Sequence, residues 1–227
     1  MICVGRPVMQ FPHSTIIVFC KAPEDGRVKT RLAAGLNDHA AATIHTYLAR
    51  HVIERLVTAN LAEVELWCAP NTHHPFFSRC REEWDVTLKT QCQGDLGQRM
   101  VQAFQDVLDR KQNAIIVGTD CAVLNQDYLQ RALLSLNTSD YPIIGPAEDG
   151  GYVLLGLNRL QPELFSTMAW GTSGVFAETC RRLGKEVNIL DTLWDVDRMD
   201  DLYRLKDESA DIPLARDFQT YLNALLY

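Results

Sequence analysis

The chain has 227 residues, of which 47% are hydrophobic, enough to bury the core of one large domain. It carries 29 Asp and Glu residues against 22 Lys and Arg residues, which gives a formal net charge of −7 and a pI of about 5.3. This negative charge argues against a nucleic-acid partner, because a polyanion would be repelled unless the basic residues were concentrated in one place. A small ligand that carries phosphate groups is still allowed.

The apolar segments are too short for a membrane-spanning helix, which needs about 20 residues. Residues 1–13 lack the charged start, apolar stretch and cleavage site of a secretion signal. We therefore expect a cytoplasmic protein with no membrane partner, organised as an N-terminal extension over residues 1–13 and one domain over residues 14–227. The seven cysteines contain no Cys-x-x-Cys pair, which favours reduced thiols over a zinc site.

Predicted strands and helices alternate along the chain, which is typical of an α/β domain. A β-branched run at residues 14–20 predicts a buried strand, and apolar residues at helical spacing predict a helix over residues 38–59. Further strands are expected at residues 64–69, 86–91, 114–118, 143–146, 152–157 and 187–190. Further helices are expected at residues 96–110, 127–136, 175–184, 200–207 and 214–226. No element is predicted around His73 and His74, which we interpret as a surface stretch containing proline.

Ligand-binding residues are expected in the loops after the strands, because ligands of open α/β sheets bind at the carboxyl ends of the strands. The loop after the first strand combines a glycine with four cations, a composition suited to binding the phosphates of a nucleotide. Its candidate nucleotide-binding residues are Lys21, Gly26, Arg27, Lys29 and Arg31. The order of residues matches neither the P-loop nor the dinucleotide-binding glycine motif. The alternative interpretation is a solvated basic turn.

Two later positions extend this predicted nucleotide site. Arg99 lies in the first turn of a helix that Asp95 is placed to cap, and it could reach a phosphate or a ribose, although an ordinary exposed arginine is an alternative. Asp120 follows the strand at residues 114–118, and one such carboxylate beside a phosphate loop is typical of an Mg²⁺ site. Alternatively, Asp120 only caps the following turn.

An acidic pair followed by two glycines lies between two predicted strands. Glu148 and Asp149 are candidate catalytic residues that could hold an acceptor hydroxyl, act as a base or complete the metal site. Gly150 and Gly151 would let the substrate lie against the backbone. A β-turn with incidental acids is the alternative.

A last acidic segment precedes the helix near residue 200. Asp195 and Asp197 are two residues apart in an extended segment and would point the same way, a geometry suited to sharing one cation, although solvated charge is the alternative. Trp170 precedes another helix and is a candidate for the wall of the acceptor pocket.

Five motifs in the same order resemble one family of bacterial transferases. They occupy residues 19–32, 94–100, 118–121, 145–152 and 195–202. The family is the radical-SAM/selenodomain-associated transferases, also described as glycosyltransferases of arsenosugar biosynthesis. The resemblance implies a single-domain GT-A fold, a Rossmann-like, mostly parallel sheet with helices on both faces. This is the fold of the nucleotide-diphospho-sugar transferases, whose relatives include molybdenum-cofactor and phospholactate guanylyltransferases.

The resemblance also implies a reaction. By similarity, Lys21, Gly26, Lys29 and Arg31 correspond to the phosphate loop, Asp120 to the metal-binding aspartate, and Asp195 or Asp197 to a later acidic position. We therefore expect a transferase that depends on Mg²⁺ or Mn²⁺, with a nucleotide or nucleotide-sugar donor and a small-molecule acceptor. Glycosyl transfer is the first expectation, nucleotidyl transfer is the alternative, and a nucleotide-binding protein without catalysis is the third.

Overall fold

The structure is a computed structural model that describes residues 8–227. The strands are β1 Ser14–Lys21, β2 Glu63–Ala69, β3 Thr87–Thr90, β4 Asn113–Val117, β5 Ile143–Pro146, β6 Tyr152–Leu157 and β7 Asn188–Ile189. The α-helices are α1 Thr30–Ala33, α2 Asp38–Thr58, α3 Pro75–Trp84, α4 Leu96–Leu108, α5 Gln126–Thr138, α6 Val175–Leu183, α7 Met199–Asp207 and α8 Arg216–Leu225. Two short 3₁₀ turns lie at Pro162–Leu164 and Glu208–Ala210.

The seven strands of residues 8–227 form one sheet in the order β3-β2-β1-β4-β6-β5-β7. Strand β6 runs antiparallel to its neighbours β4 and β5, and the other pairings are parallel. The predicted mostly parallel α/β sheet is therefore confirmed. Because the antiparallel β6 follows β5 through a hairpin, the tip of that hairpin lies at the same edge of the sheet as the carboxyl ends of the parallel strands.

Helices cover both faces of the sheet. On one face α2, α3 and α5 pack against side chains such as Ile16 and Val18, and on the other α4 and α6 pack around Ile17 and its neighbours. This alternation along β1 is the period of two that a strand buried on both sides requires. A third cluster joins α7 and α8 to the first half of α2 through residues such as Leu48 and Phe218. None of the helices in residues 8–227 combines the length and the apolar character needed to cross a bilayer.

Helix α3 occupies a segment for which the sequence predicted no element. Pro75 occupies its first turn, where a missing N–H costs nothing, and the His74 ring accepts a hydrogen bond from the N–H of Phe76. Phe76, Phe77 and Cys80 are buried, whereas most of the other residues of the helix are charged or polar. The fourth apolar residue, Trp84, also packs against the core, and the spacing of the four is helical, but the segment is short and was interpreted as a surface stretch containing proline.

Part of the predicted N-terminal extension lies outside the described residues, namely residues 1–7. Within the described part, Phe11 is buried in the core, and its N–H donates to the carbonyl of Leu61.

Candidate active site

The basic loop after β1 turns one of its four cations inward. Lys29 adopts a left-handed backbone conformation, with φ of 49°, and its side chain is only 3% exposed. Its ammonium lies 2.7 Å from Asp120 Oδ1 and also donates a hydrogen bond to the carbonyl of Val196. Lys29 therefore joins three loops at the carboxyl edge of the sheet and has little surface left for a ligand.

Asp120 stands immediately beyond β4, as the sequence predicted. Its side chain is 44% exposed, with Oδ1 buried against Lys29. Burial acts to raise the pKa of Asp120, but the charge and hydrogen bond of Lys29, together with His45 and Lys21, outweigh it and hold the pKa below its ordinary value. The carboxylate is therefore ionised at neutral pH. The N–H of Val196 donates to the backbone carbonyl of Asp120 at 2.9 Å, which fixes the segment before α7 alongside it.

A cavity of about 190 Å³ opens beside this contact, and we call it the donor cavity. Lys21, Lys29, Arg99 and Asp120 contribute charged residues to its wall, together with His45 of α2. Arg99 is directed by a hydrogen bond from its Nε to the carbonyl of Gly94. Within residues 8–227, Lys21 and Arg27 take part in none of the ion pairs, so their charges are available to a ligand.

Gly26 gives the basic loop its shape rather than a direct contact to the cavity. Its φ of 73° lies in the left-handed region that favours glycine, and a Cβ there would stand 3.3 Å from Asp38 Oδ2. The turn therefore brings the loop close to the start of α2.

A second cavity, of about 390 Å³, lies next to the segment before α7, and we call it the acidic cavity. It is lined by five carboxylates and two guanidinium groups, those of Glu148, Asp149, Asp195, Asp197, Asp201, Arg31 and Arg198. The fourth cation of the basic loop, Arg31, is held here by an ion pair of 2.6 Å with Asp197. Arg31 and Asp197 therefore neutralise each other at this wall.

The β5–β6 hairpin places Glu148 and Asp149 in the acidic cavity. Arg204 donates to Glu148 Oε2 at 2.9 Å and lies over the Trp194 ring, 4.4 Å from its centroid. Asp149 Oδ1 accepts from the N–H of Gly151 at 2.8 Å, which leaves Oδ2 directed elsewhere. Both acids are exposed on the same turn, but Glu148 is already paired.

Close contacts with neighbouring atoms explain why the two residues after Asp149 in this hairpin are glycines. A Cβ on Gly150 would stand 2.2 Å from the carbonyl oxygen of Ser173, and the N–H of Phe176 donates to the Gly150 carbonyl. A Cβ on Gly151 would stand 3.0 Å from Asp149 Oδ1. The space beside Gly150 is thus filled by the loop before α6, which forms part of the wall of the acidic cavity.

The carboxyl group of Asp195, in the wall of the acidic cavity, has a strongly shifted pKa. Burial, and then the nearby charges of Asp149 and Asp120, raise its pKa from 3.8 to about 6. No hydrogen bond or ion pair within residues 8–227 engages its carboxylate. The negative charges of Asp149 and Asp120 therefore act on Asp195, although Asp120 is itself paired with Lys29.

Trp170 lines neither cavity. Its ring packs against the start of α4, where a Cβ on Gly97 would stand 3.0 Å from Trp170 Cζ2. Its contribution to the site, as placed here, is to support the helix that carries Arg99.

Two carboxylates could contribute to holding a divalent cation. Within residues 8–227, no group of three or more His, Cys, Asp or Glu side chains is arranged as a complete metal site. The charge of Asp120 acts on Asp195, which places the two carboxylates near each other, and Mg²⁺ commonly takes only a few protein carboxylates while substrate phosphates and water complete its coordination. The donor set therefore fits such a metal at Asp120 and Asp195. Asp197 fits less well because its charge acts on Asp195 less strongly than that of Asp120 does; Arg31 holds one of its oxygens, as Lys29 holds one of those of Asp120.

His45 was not predicted from the sequence. It lies in α2 among apolar residues, where a histidine in a helical pattern gives no sign that it reaches a cavity. Only the position of α2 against the basic loop reveals it.

The sequence matches a protein family over residues 52–172, described as an uncharacterized protein conserved in bacteria (DUF2064). The chain belongs to this family. No curated protein matches the sequence.

Solved structures show what this DUF2064 chain is similar to. A protein of Desulfovibrio desulfuricans G20, provisionally named a nucleotide-diphospho-sugar transferase, is 28% identical with a TM-score of 0.78, over 95% of this chain and 99% of that one. A cytidylyltransferase from Leptospira borgpetersenii serovar Hardjo-bovis is 13% identical with a TM-score of 0.60, over 88% of this chain and 87% of that one. A CMP:2-keto-3-deoxy-manno-octonic acid synthetase complexed with CTP is 12% identical with a TM-score of 0.55, over 87% and 98%. The last two establish a shared fold.

Proposed function

We propose that the protein is a metal-dependent transferase that uses a nucleotide-sugar donor and passes the glycosyl group to a hydroxyl of a small acceptor. The observation that carries this proposal is the 2.7 Å contact between Lys29 and Asp120, which unites the basic loop and the acidic strand ends in one cleft. The similarity to the Desulfovibrio protein over nearly the whole chain supports the same class of reaction.

The donor cavity is suited to the diphosphate of such a donor. Lys21 brings unpaired charge, Arg99 approaches from α4, and the carboxylate of Asp120 lies beside them. Arg27 belongs to the same basic loop but does not line the cavity. Positive side chains next to a metal-binding carboxylate stabilise the charge that develops on a departing nucleoside diphosphate.

Mg²⁺ or Mn²⁺ would be held by Asp120 and Asp195 and would supply Lewis-acid stabilisation of the phosphates. Asp149 stands across the acidic cavity with Oδ2 free, and we assign to it the proton of the attacking hydroxyl. The acceptor oxygen then forms a bond to the anomeric carbon as the bond from that carbon to the diphosphate breaks, and the nucleoside diphosphate leaves with the electron pair. Glu148 is the alternative base, although its ion pair with Arg204 must first open.

Nucleotidyl transfer is the second candidate, and the density of cations in the basic loop, with Lys21 and Arg99 lining the donor cavity, favours it. These cations suit a triphosphate, which is more highly charged than the diphosphate of a sugar donor. In that reaction an acceptor oxygen would bond to the α-phosphorus and pyrophosphate would leave. A nucleotide-binding protein without catalysis is the third candidate. An association with arsenosugar biosynthesis, which the motif resemblance implies, is part of the proposal at the level of pathway only.

The test is a thermal-shift screen of nucleoside triphosphates and nucleotide sugars, with and without Mg²⁺ or Mn²⁺. A metal-dependent rise in Tm with a nucleotide sugar supports glycosyl transfer, whereas preference for a triphosphate with acceptor-dependent release of pyrophosphate supports nucleotidyl transfer. Asp120→Asn should remove the metal-dependent part of the shift. Asp140→Asn, an exposed position just before β5 at the opposite edge of the sheet, is the matched control. Binding without turnover for any acceptor would favour the third candidate, and a panel with no metal-dependent shift would overturn the proposal.

A further inference from the structure

His45 lines the donor cavity, but the proposed reaction gives its imidazole no role. The residue is 5% exposed, and its Nε2 lies 2.9 Å from the carbonyl oxygen of Lys21. Because a carbonyl oxygen can only accept, Nε2 carries a proton and donates it to this carbonyl.

This hydrogen bond holds one side of a peptide group that is also held on the other side. The carbonyl of Lys21 accepts from His45, and the N–H of Ala22, in the same peptide group, donates to the carbonyl of Ala69 at 2.7 Å. A peptide plane fixed at both its oxygen and its nitrogen has one orientation. The direction in which the chain leaves β1, and the starting point of the Lys21 side chain, are thereby set.

The other edge of the same ring faces the metal-site carboxylate. His45 Nδ1 lies 3.9 Å from Asp120 Oδ1, and the charge of Lys21 acts on Asp120 as well. One buried ring therefore spans the distance between the first cation of the basic loop and the carboxylate beyond β4.

We propose that His45 is a positioning residue for the nucleotide donor, which holds the Lys21–Ala22 peptide so that the Lys21 ammonium enters the donor cavity beside Asp120. This inference rests on the proposed function. His45 does not react with the donor; it acts through Lys21.

His51 provides a matched comparison on the same helix. It is 6% exposed, burial lowers its pKa, and its Nε2 lies 3.0 Å from the carbonyl oxygen of Ala122. It lines neither the donor cavity nor the acidic cavity. If buried histidines of α2 serve only to join loops to the helix, removal of either one will have the same consequences.

The experiment measures the Kd of the nucleotide that gives the largest shift in the thermal screen, with Mg²⁺, for wild type, His45→Leu, His45→Gln and His51→Leu. Both leucine variants should lower Tm, because each removes the imidazole donor from a carbonyl, and the Lys21 carbonyl keeps only the weak thiol donor of Cys20 at 3.4 Å. We expect only His45→Leu to raise the Kd, by about tenfold. His45→Gln, whose amide can donate to the same carbonyl, should restore the Kd to within about twofold of wild type.

A Kd that is unchanged in His45→Leu, or raised equally in His51→Leu, would overturn the inference while leaving the proposed function intact. The absence of any nucleotide binding by the wild type would overturn the proposed function, and the inference with it. If His45→Leu does not fold, His45→Asn takes its place, since an amide one carbon shorter cannot reach the carbonyl of Lys21. Lys21→Met should raise the Kd as His45→Leu does, and the double variant should show no further loss if the two residues act through one contact; additive losses would contradict the mechanism.

Discussion

The Lys29 ammonium and the Asp120 carboxylate lie 2.7 Å apart although they belong to different loops, and the same ammonium donates to the carbonyl of Val196. A cation in the middle of a basic phosphate loop would ordinarily be assigned to the ligand. Here it is 3% exposed and holds the loops of β1, β4 and the segment before α7 together. The charge of Lys29 therefore stabilises the wall of the donor cavity rather than binding a ligand directly.

Lys29→Met should therefore destabilise the fold as well as the site. The substitution leaves Asp120 Oδ1 and the Val196 carbonyl without their partner, and we expect a loss of about 2 kcal/mol in the free energy of unfolding. Urea denaturation provides the measurement. Lys21→Met removes an exposed cation of the same loop, and we expect less than about 0.5 kcal/mol for it. Equal stability of the two variants would contradict a structural role for Lys29.

Asp195→Asn should stabilise the protein in the absence of divalent metal. Because burial and its acidic neighbours raise the pKa of Asp195 from 3.8 to about 6, the folded state binds the proton more tightly than the unfolded chain. Stability therefore falls as the pH rises from about 4 to about 6. At about pH 7 in EDTA we expect a gain of about 1 kcal/mol, since Asp195 is only partly buried and solvent screens part of the effect.

The gain from Asp195→Asn should disappear at about pH 4.5, where wild-type Asp195 is already mostly protonated. Asp197→Asn serves as the control because it breaks an exposed ion pair with Arg31 and should cost up to about 1 kcal/mol. Urea denaturation at the two pH values measures both variants. A gain for Asp195→Asn that does not depend on pH would show that its carboxylate is not destabilised in the folded state.

Gly150→Ala tests the close approach of the β5–β6 turn to the loop before α6. Its φ of 87° strains any side chain, and a Cβ would stand 2.2 Å from the Ser173 carbonyl oxygen. We expect a loss of about 3 kcal/mol. Gly171→Ala is the matched control, since its φ is 78° but nothing lies within 4 Å of the added carbon, so only backbone strain, about 1 kcal/mol, should appear. Similar losses at the two positions would mean that the Ser173 loop moves aside freely.

Glu65 in β2 is a buried carboxylate away from the site, 2% exposed, with two partners. Arg110 lies 2.6 Å from Glu65 Oε1, and the indole N–H of Trp67 donates to Oε2. Arg110→Met leaves this charge uncompensated, and we expect a loss of about 2 kcal/mol, less than for a pair buried on both sides because Arg110 is partly exposed. The double variant with Glu65→Gln should recover part of that loss, because a neutral amide no longer needs the guanidinium. Thermal and urea unfolding would both report it, and no recovery would assign the loss to packing by the arginine stem.

The sequence predicted those elements of the fold that carry a strong periodic signal. Helix α2 was expected at residues 38–59 and is observed at Asp38–Thr58, and the strands at residues 143–146 and 152–157 have the predicted bounds. Helix α3 was missed because the segment is only ten residues long and Pro75, at its start, was interpreted as part of a surface stretch. The antiparallel direction of β6 follows from the short hairpin after β5, a connection too short for a parallel crossover.

The predicted site residues gather at one edge of the sheet, but their partners could not be read from the sequence. Composition identifies Lys29, Arg31 and Asp197 as charged, but it does not reveal that Lys29 meets Asp120 or that Arg31 meets Asp197. Such pairings depend on how loops far apart in the chain fold against each other. Their assignment to phosphate, metal or acceptor stays a prediction until a ligand is measured.

The segment before α7 connects the two cavities to the C-terminal helices α7 and α8. Val196 contacts both Lys29 and Asp120 through its backbone, and its side chain is buried with those of α7 and α8 against α2. Loosening of the two C-terminal helices would release this segment and, with it, the alignment of Asp195 beside Asp120. Substitutions in the stack of Tyr47 on Phe218, remote from either cavity, could therefore impair catalysis without touching a reacting group.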